Sequence, residues 1–220
     1  MKEMTKRVLM TLTGVSVSGF SVGMFNFSVM GVDPFQVLMH GIAKHVPIDF
    51  GTLYMICNLV MLVAIFFADK KKIGLGTFIN IFLLGYIVEF SSAFFAGLIP
   101  DPSLPIRILF LAVGVLILCL GSALYFTGDL GVSTYDAVAL ILSEKFPVKF
   151  QYIRIATDLV CTGTGFLLGG VVGVGTLVTA FFMGPLITLF RHRVSMPLRY
   201  GKAGTDERIA EENKKRTHKD

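Results

Sequence analysis

The chain has 220 residues, 54% of them hydrophobic and 16% charged, with a formal net charge of +5 and a mean hydropathy of +0.72. A soluble domain carries about 25% charged and about 45–50% apolar residues, so the composition excludes an ordinary cytosolic enzyme, a disordered chain and a DNA-binding domain. The basic residues sit in short clusters between long apolar runs, as membrane orientation requires.

In chain order, Val8 to Met30 is an uncharged run of 23 residues after Lys2, Lys6 and Arg7. It resembles a signal peptide in length, but its place in the repeat described below predicts that it is retained. Gly51 to Ala68 is closed by Asp69-Lys70-Lys71-Lys72; Ile73 to Pro100 is broken only by Glu89; Ile108 to Gly128 follows. Leu159 to Phe190 is uncharged for 32 residues, too long for one span of about 20, and Gly169-Gly170 with Gly173 predicts a turn inside it. Six long helices follow, near 8–29, 51–68, 74–97, 107–127, 151–169 and 173–191. Pro34 to His45 and Thr134 to Lys145 are 12 residues each, about 18 Å as helices, against a hydrocarbon core of about 30 Å. These two are expected to lie in the interface or to re-enter without crossing. With the N-terminus inside, Lys2, Lys6, Arg7, Lys70, Lys71, Lys72, Lys145, Lys149, Arg191, Arg193 and Arg199 are cytoplasmic and only Lys44 and Arg107 face out, 11 against 2. The expected location is the cell membrane, multi-pass, with both termini cytoplasmic. Residues 201–220, with six basic and five acidic residues after Gly201, read as a disordered or loosely helical tail.

The strongest signal is internal duplication. Arg7, Leu9, Gly14, Val15, Gly31, Val32, Pro47, Phe50, Leu59 and Val60 recur 100 residues later as Arg107, Leu109, Gly114, Val115, Gly131, Val132, Pro147, Phe150, Leu159 and Val160. At an offset of 99, Gly74-Leu75-Gly76-Thr77 matches Gly173-Val174-Gly175-Thr176, and Gly85 matches Gly184. The halves, 1–100 and 101–200, each contain one long helix, one short helix and two more long helices. Three crossings per half is odd, so the expected fold is an all-α polytopic membrane protein built as an inverted 3+3 repeat, an architecture of many secondary transporters. The short helices are then symmetry mates, expected to begin near opposite faces of the membrane and to leave on the side each entered.

Asp33 is the expected N-cap of the first short helix, with Pro34 at its first position and Gln36 three residues after the cap; Ser133 caps the second, with Asp136 closing the box. Capping alone explains these residues. A second reading points both helix N-termini at a shared cavity that suits an anionic or polar ligand. Asn58 and Asp158 are equivalent. An ionisable group at such depth requires a partner or water, and Arg154 lies one helical turn before Asp158, so the two form either a structural pair or the edge of a cation- or proton-binding cavity. Glu89 lies within the third long helix opposite Thr188 in the repeat, hydrogen-bonded in the bundle or proton-coupling. The candidate ligand or ion residues are thus Asp33, Gln36, Asn58, Glu89, Asp136 and Asp158. Gly14, Gly19, Gly23, Gly114 and Gly121 thin the first and fourth long helices for close packing, and the two Gly-x-Gly-Thr stretches lack the lysine of a phosphate loop and read as turns.

At these motifs the chain resembles the YczE/YitT-type family of bacterial integral membrane proteins, YczE more closely, over roughly residues 5–195. That family shows a Gly-x-Gly-Pro-x-Asp-like start after its first helix and a later Gly-x-Gly-Thr-x-x-Asn stretch. Here Gly31-Val32-Asp33-Pro34-Phe35-Gln36 has Gln36 in place of the acid, Gly131 to Asp136 keeps the acid and loses the proline, and Gly74 to Asn80 matches the later motif. The resemblance implies location and fold; it carries no assigned activity.

No enzyme constellation is present: the chain has no HExxH or GxSxG, and His40 and His45 read as a polar edge rather than a metal site. Cys57, Cys119 and Cys161 read as packing residues. The expectation is a non-enzyme with no cofactor and no metal, whose partners are the lipid bilayer and a small polar solute, with no nucleic acid, and for which a homo-oligomer is open. The leading function is a small-solute permease with its site between the halves; the alternative is a non-transporting accessory or sensor protein.

Overall fold

A computed structural model describes residues 3–146 and 150–217. Nine α-helices occur among them: α1 Glu3–Ser28, α2 Pro34–Ala43, α3 Phe50–Asp69, α4 Leu75–Leu98, α5 Leu104–Gly128, α6 Thr134–Lys145, α7 Phe150–Leu167, α8 Val174–Phe190 and α9 Met196–Thr217. A 3₁₀ turn at Lys70–Lys72 joins α3 to α4, and a π-helical turn at Arg191–Ser195 joins α8 to α9. The described chain contains no strand. Four helices, α1, α3, α4 and α5, are long and apolar enough to cross a membrane. The other two long helices expected from the sequence are present but shorter: α7 has 18 residues and carries Arg154 and Asp158, and α8 has 17, about 26 Å. Pro147 and Lys149 lie outside the described residues.

α1 is the central helix, and small residues let it approach two neighbours at once. Along α5, Arg7 meets Gly128, Ser21 donates to the Gly114 carbonyl at 2.5 Å, and Phe27 packs on Phe110 at 4.6 Å; residue numbers fall on α5 as they rise on α1, so the two run antiparallel. A Cβ at Gly14 would sit 2.6 Å from the Tyr125 nitrogen, so glycine there sets the helix separation. Along α4, Thr11 meets Gly76, Gly23 meets Ser91 and Phe27 meets Phe95, a parallel pair. α5 and α8 are parallel in the same way, through Leu111 with Gly175 and Cys119 with Met183.

The loops after α1 and α5 have one backbone form. Val29 and Asp129 both have φ of 53°, and Gly31 and Gly131 have φ of 101° and 108°, the left-handed region that glycine enters without strain. Each loop docks on a helix start in the other half. Gly76 donates its N–H to the Leu130 carbonyl at 2.6 Å, and Gly175 donates to the Met30 carbonyl at 2.7 Å. Helix starts leave N–H groups without intrahelical partners; here the opposite half supplies them. A Cβ on Gly74 would lie 2.2 Å from the Leu130 oxygen and one on Gly173 2.3 Å from the Met30 oxygen. The Gly-x-Gly-Thr stretches are therefore clamps between the halves as well as turns, and Thr77 completes one by donating to the Val132 carbonyl at 2.8 Å.

Beyond α8 the described chain is helical through Thr217, bent at Gly201, where φ is 76° and ψ 174°. Its first turns are anchored. Met196 and Ser195 are buried, and the Ser195 and Thr127 hydroxyls bond at 2.7 Å. Arg199, only 8% exposed, donates to the Thr127 carbonyl and to Glu3 at 3.1 Å. Arg199, counted from sequence only among the basic residues expected in the cytoplasm, is a buried brace between α5, α9 and the start of α1.

Candidate functional site

The two short helices start side by side. Phe35 and Tyr135, one residue inside α2 and α6 and equivalent in the duplication, stack at 5.0 Å with an interplanar angle of 19°. This corrects the expectation that the helices begin near opposite faces. From the shared start they diverge. α2 runs along α7, with Gly41 against Gly165 and Lys44 donating to the Gly169 carbonyl at 2.6 Å. α6 runs along α3, with Thr134 bonded to Asn58 and Ile141 packed on Ile65. Gly169 leads to the start of α8 beside Met30, and Asp69 leads to the start of α4 beside Leu130. These lie at opposite ends of α1, so the short helices run toward opposite ends of the bundle.

Both caps form as the residue types dictate. Asp33 Oδ1 accepts the Gln36 N–H at 3.2 Å, and Ser133 Oγ accepts the Asp136 N–H at 3.1 Å. Asp136 does not reach back to the cap backbone; its Oδ2 accepts the Ser133 hydroxyl at 2.7 Å, leaving Oδ1 for the Arg154 guanidinium. Arg154 Nε also lies 3.3 Å from Asp158 Oδ1, the expected pair one turn apart, and the guanidinium stacks 4.5 Å over the Tyr135 ring. The Tyr135 hydroxyl donates to Asp158. A carboxylate–arginine–carboxylate bridge thus ties α6 to α7 beside the helix starts.

Asn58, 0% exposed, donates to the Tyr54 carbonyl at 2.7 Å and accepts the Thr134 hydroxyl. Tyr54 packs edge-on against Phe35 at 5.7 Å. The structure therefore gathers Asp33, Gln36, Asn58, Asp136, Arg154 and Asp158 around one junction, with Asn58 and Asp158 each midway along its helix. Burial pushes the Asp33 carboxyl up from its ordinary 3.8 to about 6, opposed by the Gln36 N–H and the Arg154 charge. Sequence reasoning missed Phe35, Tyr54, Thr134 and Tyr135, which look like packing residues in apolar runs; aligning the halves at the same offset pairs Phe35 with Tyr135 and Tyr54 with Arg154.

Glu89 is elsewhere. It accepts the Gly51 N–H at 2.9 Å, so it closes the start of α3, and it lines a cavity of about 430 Å³ with Asn26, His40, Lys44 and Ser92 that extends to Gly31 and Val32. His40 bonds Asn26 at 2.9 Å and stacks on Phe50 at 4.7 Å; burial, helped by Lys44, pushes its pKa down to about 4, so the imidazole is neutral. The cavity reaches Gly31 and Val32, the two residues before Asp33. Cys119 is buried and Cys57 and Cys161 half-buried, all three as thiols.

Residues 5–192 match the model of a family of unknown function, DUF6198, and the chain belongs to that family. It is also similar to an uncharacterized protein of Haemophilus influenzae (strain ATCC 51907 / DSM 11121 / KW20 / Rd), 31% identical over 142 residues, covering 64% of this chain and 63% of that protein. No solved structure matches the chain.

Proposed function

We propose that this DUF6198 protein is a small-solute permease of the cell membrane, with kinship to the YczE/YitT-type proteins at the motifs quoted above. It crosses the membrane six times as an inverted 3+3 repeat, both termini lie in the cytoplasm, and the solute site lies where α2 and α6 begin. The observation that carries this reading is the meeting of two short helix N-termini beside buried Asn58 on α3 and half-buried Asp158 on α7, each midway along its helix. Interrupted helices of this kind hold polar ligands in many secondary transporters, and intramembrane ionisable groups mark solute or ion paths. The antiparallel course of α1 and α5 and the reciprocal clamps Gly76–Leu130 and Gly175–Met30 support the inverted repeat. α7 and α8 then cross as a shorter pair, with α8 extended by the π turn at Arg191–Ser195.

The halves also differ in a way that suits alternating access. A Cβ on Gly85 would meet Tyr54 Cβ at 2.9 Å, whereas at the equivalent Gly184 no atom of the described residues outside its own turn of helix lies within 4 Å; α4 is packed on α3 more closely there than α8 is on its surroundings. One observation favours the alternative, a non-transporting accessory or sensor protein: Arg154 satisfies Asp136 and Asp158 without any ligand. Flux into proteoliposomes across a panel of amino acids, organic anions and organic cations separates the two. Saturable uptake lost in Asp158→Asn supports the permease; no uptake of any member, from protein that is folded by thermal melt, rejects it for the accessory reading.

A further inference from the structure

The cavity beside Glu89 shares no side chain with the α2–α6 junction. At about 430 Å³ it has the size of small-molecule sites, about 300–1,000 Å³ with apolar walls and a few fixed polar groups. Phe25, Val29, Phe50, Val88 and Val171 line it with apolar surface, and Asn26, His40, Lys44, Glu89 and Ser92 supply the polar lining.

Hydrogen bonds hold these polar groups together. Ser92 lies three residues after Glu89, on the same face of α4. Its hydroxyl donates to the Val88 carbonyl at 2.7 Å and so accepts from Asn26 Nδ2 at 2.9 Å. That turns Asn26 Oδ1 toward His40 Nε2, 2.9 Å away. Oδ1 only accepts, so Nε2 carries the hydrogen and a neutral imidazole keeps Nδ1 as an acceptor; burial keeps the ring neutral. A second route closes the ring of contacts: His40 stacks on Phe50 at 4.7 Å, and Glu89 Oε2 accepts the N–H of the next residue, Gly51, at 2.9 Å.

Glu89 carries the only carboxylate of this lining. It stands in α4, a helix long and apolar enough to cross a membrane, where acids are paired or line a cavity. Among the described residues no cationic side chain bonds to it. Lys44, which is exposed, donates to the Gly169 carbonyl at 2.6 Å instead. An anionic occupant would meet the Glu89 charge, and a purely apolar one would desolvate that charge without a partner. A metal ion needs several ligating side chains, and no such cluster occurs among the described residues. A primary ammonium supplies positive charge and N–H donors, and a hydrocarbon body suits the apolar walls.

We propose that the cavity between α1, α2 and α4 binds a small molecule bearing a primary ammonium on an apolar body, with the Glu89 carboxylate as its counter-ion. A free amine and an apolar amino acid share this chemistry; the second adds a carboxylate that Lys44 is placed to receive. The site stands apart from the solute site proposed at the junction.

The test is the melting temperature of the detergent-solubilised full chain at neutral pH with leucine, isoamylamine or isocaproate. These keep one hydrocarbon body and carry both charged groups, the ammonium alone or the carboxylate alone. A saturable rise with isoamylamine and none with isocaproate is expected. Leucine binding tighter than isoamylamine, an advantage lost in Lys44→Gln, identifies an amino acid site; weaker binding of leucine identifies a free-amine site. Glu89→Gln keeps an oxygen for the Gly51 N–H while removing the charge, and should weaken isoamylamine at least about tenfold. Ala43 also lines the cavity; Ala43→Leu fills it with Glu89 intact, should weaken the same response, and decides alone if Glu89→Gln does not fold. No rise with either ammonium compound, an equal rise with isocaproate, or a response unchanged in the folded variants overturns the proposal. An ammonium-specific response without flux of any solute removes the permease reading and leaves this site standing; solute flux without that response does the reverse.

Discussion

Removing Arg154 tests whether the junction is held by charge. In Arg154→Met, Asp136 and Asp158 lose their shared counter-ion, two like charges face each other through the vacated space, and the stacking on Tyr135 at 4.5 Å is lost. Breaking a fully buried pair by deleting one partner costs about 3–5 kcal/mol. Here the side chains of Arg154, Asp136 and Asp158 are 33%, 21% and 18% exposed, and partial solvation screens the charges, so the expected cost is about 2–3 kcal/mol. Asp158→Asn leaves Arg154 paired with Asp136 and should cost less, about 1 kcal/mol. The triple variant Arg154→Met, Asp136→Asn, Asp158→Asn carries no stranded charge and should recover most of the loss, a coupling that double-mutant cycles resolve. Unfolding in detergent followed by circular dichroism gives each difference. A cost for Arg154→Met below about 0.5 kcal/mol would class the bridge with exposed ion pairs, and a triple variant as unstable as the single one would place the loss in packing rather than charge.

Gly31→Ala and Gly131→Ala each force a side chain into the left-handed region, about 1–2 kcal/mol. Each also places a Cβ within 2.7 Å of a backbone nitrogen in the other half, so both should lower the melting temperature strongly and to a similar degree. Asp33 contributes a pH dependence of definite sign. Its folded pKa of about 6 lies above the ordinary 3.8, so its stabilising contribution is full below pH 3.8 and is lost as pH rises through 6, by no more than about 3 kcal/mol. Subtracting the Asp33→Asn stability profile from the wild-type profile should isolate that slope; a flat difference contradicts it. Gly85→Ala should destabilise by about 1–3 kcal/mol through overpacking against Tyr54, while Gly184→Ala should be neutral or stabilising by up to about 1 kcal/mol, as thermal melts will read. The proposed orientation, with cytoplasmic termini, predicts that Lys70→Cys is shielded and Ser103→Cys labelled by an impermeant maleimide on intact cells; the opposite pattern reverses the orientation.

The helices were legible because apolar run length and Gly or Pro punctuation are local signals. The sequence bounds for α3 and α4 fall within a residue of Phe50–Asp69 and Leu75–Leu98, and Asp33 and Ser133 cap as their residue types suggest. What local signals do not carry is the identity of a distant partner. The N–H groups of Gly76 and Gly175 are visibly unpaired in a helix start, but nothing near them in the chain names Leu130 or Met30 as acceptors. Arg154 displays Asp158 one turn away and conceals Asp136, 18 residues distant. Arg199 counts in the sequence only toward the basic residues, and its burial depends on a Thr127 carbonyl 72 residues earlier. The sequence places the starts of the short helices at opposite faces, whereas Phe35 and Tyr135 bring those starts together.

The duplication separates frame from chemistry. The residues that repeat unchanged, Gly31-Val32 and Gly131-Val132 with the paired Gly-x-Gly-Thr stretches, are those that make the reciprocal clamps. The residues around the junction do not repeat. In the second half a serine caps α6, the acid stands three residues later, and α7 supplies Arg154 to meet it. In the first half the acid has moved to the cap as Asp33, an amide occupies the later position as Gln36, and Tyr54 stands where the arginine would be. A bundle needing only stability could keep one arrangement twice, with each acid paired to its own arginine. Instead one side of the junction is a bridge of two carboxylates sharing Arg154, and the other an acid and an amide to which no cationic side chain bonds among the described residues. The frame holds the two sides in register while the side chains at the junction differ between them.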